Sequence, residues 1–255
     1  MSVRTNRYLR NILKHEAVDT SSTSPLIRVQ KKVKPIIRRW AGNFLANIYP
    51  SGSFAKGTAN KSGTDIDIFV SLSSNTQENL RHIYNSLYSE LKRNGYLPRK
   101  QNVSLGIKVN GYKVDIIPAK RQSAYGNNHS LYRRKANTWT KTNIQTHITK
   151  VSNSSRIDEI RLIKLWRDHF NIDFPSFYIE LVAIKVLRGS PHNNLGNNVL
   201  KVFRYLTNKF LSDRYVDPAN TNNIISDDLT ASDKRTVARE AQHALLAETW
   251  SDIIK

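Results

Sequence analysis

The stretch GSFAKGTANKSGTDIDIFV, residues 52–70, decides the reading of this chain, because it sets two carboxylates two residues apart soon after a glycine-punctuated loop. In an extended strand alternate side chains share a face, so Ile66, Ile68 and Val70 are expected to enter a core while Asp65 and Asp67 stand together on the other side. Two hard oxygen donors at that spacing suit Mg2+, with Mn2+ as an alternative. Gly52 and Gly57 permit backbone angles closed to other residues, so a phosphate can approach main-chain N–H groups. Ser53 and Thr58 add hydroxyl donors and Lys56 adds a cation. Taken singly, the two elements also fit a plain turn and an acidic solvent-facing strand. In this order they point to a cradle for a metal-bound nucleoside triphosphate.

A third carboxylate follows from a hairpin downstream. Val103, Leu105, Ile107 and Val109 alternate up to Asn110-Gly111, a strong hairpin signal, and Tyr112, Val114 and Ile116 alternate after it. A two-residue turn sets Ile107 opposite Val114, Leu105 opposite Ile116 and Gly106 opposite Asp115. Asp115 then points away from the apolar layer, across from a residue without a side chain, and joins Asp65 and Asp67 if the strands are neighbours. Such a set suits two divalent ions roughly 3.5–4 Å apart, the arrangement for in-line phosphoryl displacement.

The GS…T…DID element and the VDIIP strand at residues 114–118 together resemble the DNA polymerase β-type nucleotidyltransferase superfamily. The branch they resemble contains the CBASS cyclic-nucleotide synthases, cyclic GMP-AMP synthase, oligoadenylate synthetases and archaeal-type CCA-adding enzymes. IRLIKLWRDHF (160–170), FPSFYIEL (174–181) and DPANTNNIISD (217–227) are similar to the helical core of that branch. The resemblance implies an α+β fold, a mixed-sheet palm packed against a C-terminal helical core. It further implies an enzyme that uses NTPs and releases pyrophosphate, with Asp65, Asp67 and Asp115 as ligands of two Mg2+ ions. By motif position Lys164 and Ser176 would contact the triphosphate, and the cleft between palm and core would hold the acceptor. The resemblance does not extend to the N-terminal segment.

Composition agrees with an intracellular enzyme. A chain of 255 residues exceeds the usual domain mode of about 100–150, so two packed lobes are expected. Cysteine is absent, which excludes disulfides and thiolate zinc sites, and no apolar run is long enough for a signal peptide or membrane span, so a cytoplasmic location without membrane attachment is expected. His82, His129, His147, His169, His192 and His243 lie without ligand spacing. Ser53 has no Asp or His partner in sequence context and reads as a phosphate donor rather than a nucleophile.

The net charge of +20 is concentrated: residues 1–41 carry ten Lys/Arg against two Asp/Glu, residues 92–150 carry thirteen against one, and the remaining segments cancel. Focused positive charge is the footprint expected of a nucleic-acid surface, with RNA or another nucleic acid as activator or acceptor; a basic surface that only assists triphosphate binding is the other reading. Tyr132, Arg133, Arg134, Lys135, Trp139 and Lys141 interleave aromatic and basic side chains, as a base-stacking platform would. Arg133, Arg134, Lys135 and Lys141 are therefore the candidate nucleic-acid contacts, and a simple connector between lobes is the alternative.

The expected organisation is a basic N-terminal segment over 1–24 with a short helix over 1–19, a palm over 25–120, a basic connector over 121–151 and a helical core over 152–255. Ser24 should cap a long helix opening at Pro25, with Val29, Val33, Ile36, Ile37, Trp40 and Phe44 at helical spacing and Pro35 as a kink. Leu80, Ile83, Leu87 and Leu91 mark another helix, and further helices are expected over 177–188, 195–211 and 232–254. Ile160, Ile163, Trp166 and Phe170 form one stripe, leaving Lys164 to look into the cleft. Because the palm leads directly to a compact helical core, a cyclic di- or oligonucleotide synthase is favoured. The alternative is an RNA or tRNA 3′-end nucleotidyltransferase. A catalytically inactive nucleic-acid-binding derivative is disfavoured by the intact Asp65, Asp67 and Asp115.

Overall fold

The computed structural model describes residues 3–21, 23–63 and 65–254. The chain divides into a sheet unit of residues 19–55 and 65–148 and a helical unit of residues 1–18, 56–64 and 149–255. The basic N-terminal helix is α1, Val3–His15; Met1 and Ser2 lie outside the described residues. Contrary to a separate N-terminal segment, α1 belongs to the helical unit, where Leu9 and Leu13 are buried in its core. One apolar face among its arginines is enough to dock it.

The sheet unit opens with α2, Pro25–Ala41, whose start follows the expected cap: Ser24 Oγ accepts from the Ile27 N–H at 3.4 Å and Pro25 takes the first turn. Pro35 is accommodated inside this helix. Then come β1 (Leu45–Pro50), the short α3 (Gly52–Lys56), β2 (Ile66–Leu72), α4 (Leu80–Arg93), β3 (Arg99–Lys100), β4 (Leu105–Val109) and β5 (Tyr112–Arg121). They form a mixed sheet in the order β1-β2-β5-β4-β3, with β2 and β5 parallel and their crossover carried by α4. The hairpin register is the expected one, Ile107 with Val114, Leu105 with Ile116 and Gly106 with Asp115. Its turn takes positive φ at both Asn110 (51°) and Gly111 (84°), which only such residues adopt readily.

Period-2 alternation builds the core. Ile66, Ile68, Val70, Leu105, Ile107, Val114 and Ile116 pack on Val29, Val33 and Ile37 of α2 and on Ile83, Leu87 and Leu91 of α4. Each fully buried aliphatic side chain is worth about 1.5–3 kcal/mol. The stretch read as a basic connector is instead a second hairpin, β6 (His129–Arg133) and β7 (Thr138–Thr142), which extends the sheet from the end of β5. Its few apolar residues decide this: Leu131 packs with Phe69 and Ala119, and the Tyr132 ring meets Tyr84 edge-on at 5.6 Å.

The helical unit contains the later part of α5 (Ile144–Ser152), then α6 (Ile157–His169), α7 (Ser176–Val186), α8 (Leu195–Asn208) and α9 (Ala231–Leu246) around Trp166, Phe174, Tyr178, Phe203 and Phe210. The DPANTNNI stretch forms a small hairpin, β8 (Val216–Asp217) and β9 (Asn220–Ile224). Among the described residues no helix is long and apolar enough to cross a membrane.

Candidate active site

In the sheet unit, the parallel register pairs Asp67 of β2 directly with Asp115 of β5. Their neighbours Ile66, Ile68, Val114 and Ile116 are buried in the core, so the two half-buried carboxylates occupy the opposite face of the sheet. Asp65 stands one residue before β2, is exposed, and lines the same cavity of about 490 Å³ as Asp115. Burial pushes the Asp115 carboxyl above the usual carboxylate range and the Asp65 charge adds to this, while hydrogen bonding from Gln101 and the charge of Arg99 work the other way.

Gly52, expected to admit a phosphate to the backbone, makes a close approach to Asp67. With φ at +60°, it lies against Asp67 so tightly that a Cβ there would fall 1.7 Å from Asp67 Oδ2. The residue that lets backbone and carboxylate meet must therefore lack a side chain. Among the described residues no three carboxylate or imidazole groups converge closely enough to enclose an ion. The donors, three hard carboxylates with two in register and the third on the same cavity, are nonetheless of the kind a divalent cation takes.

The remaining candidates part company. Gly52 and Ser53 open α3, where Ser53 is half-buried, rather than lying in an open loop. Lys56, Thr58 and Lys164, expected as exposed phosphate donors, are buried in the helical unit around Glu180, which has no exposed surface. Lys164 Nζ donates to Glu180 Oε1 at 2.6 Å and to Thr58 Oγ1 at 2.8 Å, Lys56 Nζ to Glu180 Oε2 at 2.8 Å, and Thr58 Oγ1 to Glu180 Oε1 at 2.7 Å. Lys164 thus does not look outward from α6, because a carboxylate placed in the apolar core has to be neutralised there. Burial works to raise the Glu180 pKa, but Lys56 and Lys164 outweigh it and hold the group below its usual range. Ser176 opens α7 and its hydroxyl accepts from the Arg167 guanidinium at 2.8 Å.

Arg133, Arg134, Lys135 and Lys141 all belong to the β6–β7 hairpin, with Arg134 and Lys135 exposed at its turn and Arg133 and Lys141 partly covered. Arg134 is not purely a surface charge, since its Nε donates to the Gln101 carbonyl at 3.1 Å. Sequence reasoning missed Arg99, Lys108 and Lys113, which line the cavity of Asp65 and Asp115 together with Tyr96 and the exposed Leu97. The signal was present in the alternation that put Asp115 on the open face: Lys113 precedes it by two residues on β5, and Lys108 pairs with Lys113 across the hairpin.

Residues 30–135 match the family model described as nucleotidyltransferase domain, an interval that takes in β1 to β6 of the sheet unit. A curated relative, the cyclic AMP-AMP-AMP synthase of Escherichia coli strain MS 115-1, is 27% identical over 209 residues; the match covers 74% of this chain and 65% of that protein, just under two thirds of its length. Among solved structures, E. coli MS115-1 CdnC with ATP aligns at a TM-score of 0.75 and 22% identity, over 94% of this chain and 90% of that one. The CD-NTase CdnG of Bradyrhizobium diazoefficiens, in complex with GTP, aligns at 0.78 and 12%, over 94% and 89%. At these identities the structural likenesses speak for a shared fold. With the carboxylate register, the domain match and the sequence relative in agreement, residues 30–135 read as a nucleotidyltransferase domain, and the chain is similar to bacterial cyclic-nucleotide synthases in sequence and fold.

Proposed function

We propose that the protein is a divalent-metal-dependent, template-independent nucleotidyltransferase that condenses NTPs into a cyclic di- or oligonucleotide messenger of the CBASS antiphage type. The observation that carries the reading is the pairing of Asp67 with Asp115 on one sheet face, with Gly52 held against Asp67 and Asp65 on the shared cavity. The E. coli relative, named for a cyclic trinucleotide product, supports the choice of messenger synthesis.

Asp65, Asp67 and Asp115 would hold Mg2+ or Mn2+, which when bound supplies charge neutralisation on the triphosphate and acidifies the attacking hydroxyl. The chain's own contribution is positioning. A ribose hydroxyl oxygen of the acceptor attacks the α-phosphorus of the donor NTP, the bond from that phosphorus to the bridging oxygen breaks, pyrophosphate leaves, and the hydroxyl proton passes to solvent. The Ser53 hydroxyl at the α3 opening would donate to triphosphate oxygens; within the helical unit, the Arg167–Ser176 pair at the start of α7 holds donor groups of the kind phosphate oxygens accept from. Lys164 would contact the triphosphate only by giving up part of its bonding to Glu180 and Thr58.

A second reading, an RNA 3′-end nucleotidyltransferase, is favoured by Arg99, Lys108 and Lys113 beside Asp65 and Asp115, which suit a polynucleotide backbone. Incubating the protein with all four NTPs and Mg2+, with and without RNA, separates the two. Small phosphatase-resistant products identify the synthase, lengthened RNA identifies the tailing enzyme, and neither product overturns both.

A further inference from the structure

Asp115 is held by a side chain with no role in the reading above. Gln101 lies between β3 and β4, and its Nε2 donates to Asp115 Oδ1 at 2.8 Å. The amide cannot turn over, because Ser104 Oγ donates to Gln101 Oε1 at 2.8 Å and so keeps the NH2 group toward the carboxylate. The backbone under Gln101 is also fixed. Its N–H donates to the Ser104 carbonyl at 3.0 Å, and its own carbonyl accepts from the Tyr84 hydroxyl at 2.9 Å and from Arg134 Nε at 3.1 Å. Room for the contact comes from Gly106, the residue paired with Asp115: a Cβ there would lie 2.8 Å from Gln101 Nε2 and 3.1 Å from Asp115 Oδ1.

We infer that Gln101 is a positioning residue for Asp115, fixing the carboxylate's rotation so that its remaining oxygen lone pairs are presented to a divalent cation. The inference rests on the reading of Asp115 as a metal ligand. A neutral amide suits the task, since it anchors one oxygen without neutralising the charge that the cation needs, whereas a guanidinium in its place would compete with the ion. Outer partners of this kind typically matter by 10–100-fold in metal affinity or activity.

The test uses the full chain with Gln101→Met, which keeps side-chain length and removes the donor, beside Asp115→Asn. Mn2+ alone is titrated and the free-ion signal followed by electron paramagnetic resonance; transfer kinetics and thermal unfolding are measured in parallel. The expected result is a Mn2+ affinity lowered about 10–100-fold in both variants, a kcat reduced with a nearly unchanged KM for NTP in Gln101→Met, and an unfolding midpoint close to the parent's. Ser104→Ala, which frees the amide to rotate, should show a smaller loss in the same direction, and it carries the same readouts if Gln101→Met does not fold. Parental Mn2+ affinity in Gln101→Met, or a parental affinity indifferent to Asp115→Asn, overturns the inference. A parent that transfers nothing from any NTP, yet loses Mn2+ binding on Gln101→Met, sinks the proposed activity and leaves the positioning role standing.

Discussion

The ammonium of Lys164 lies 2.6 Å from Glu180 Oε1 inside the helical unit, and Lys56 takes the other oxygen of the same carboxylate at 2.8 Å. One buried anion therefore ties α6 and α7 to the segment that leads out of α3. Breaking such a group by removing one partner costs about 3–5 kcal/mol, because the others stay buried and unpaired. Glu180→Gln should accordingly lower the free energy of unfolding, measured by denaturant titration, by an amount in that range, and a change below about 1 kcal/mol would show that the cluster is not structural. The pH dependence has a definite sign. The Glu180 pKa is depressed below its ordinary 4.5, so its stabilisation is present above that value and is lost as pH falls through the folded one. Glu180→Gln should remove that part of the acid-side loss.

Replacing Asp65 and Asp67 together with Asn removes two negative charges at almost constant volume. Nucleotidyl transfer should fall below detection while circular dichroism and the unfolding midpoint stay close to the parent's. Undiminished turnover in the folded double variant would sink the metal-site reading.

Gly52→Ala probes the same site from the backbone. The added Cβ would overlap Asp67 Oδ2, and the residue would have to hold φ at +60°. Transfer should drop at least tenfold, with a stability loss of about 1–3 kcal/mol from the unfavourable conformation. Parental kcat would mean that the position of Asp67 is not set by this close approach.

Arg133 and Lys135 flank Arg134 at the β6–β7 turn, and Arg134 also braces the Gln101 loop. Charge reversal at Arg133 and Lys135 alone therefore tests polyanion binding without disturbing Asp115. If these residues meet phosphates, the slope of log affinity against log salt should fall by about one for each phosphate that is no longer neutralised. An unchanged slope, or a parent with no salt-sensitive binding to RNA or DNA, removes this surface from the reading.

His129 is buried in the sheet unit with its Nε2 2.8 Å from Ser71 Oγ, and burial pushes its pKa below the ordinary 6.5 despite the hydrogen bond to the Asn127 carbonyl. The folded state then binds fewer protons than the unfolded one, so stability is full above about pH 6.5 and declines as pH falls below it. Thermal unfolding across pH 5–8 should show that decline, and His129→Gln should flatten it. A variant whose pH profile matches the parent's would assign the decline to other groups.

The sequence alone determined several features that depend on residues close along the chain, though the local β6–β7 hairpin, poor in apolar residues, read as a connector. Alternation and an Asn-Gly turn set the register of β4 on β5, so Asp115 was readable as facing Gly106. The Ser24-Pro25 cap was equally local. Period 2 placed Asp67 on the face opposite the buried Ile66 and Ile68, whereas Asp65, expected on the same strand, stands one residue before it. Only the tertiary structure decided that Lys56, Thr58 and Lys164 meet one carboxylate, Glu180, since Lys56 and Glu180 are 124 residues apart. It also decided that α1 docks on the helical core. The physical reason is common to these cases. Local geometry is set by backbone sterics and by which side chains alternate, whereas the fate of a charge depends on which distant segments lose water together, and on whether an opposite charge is buried with it.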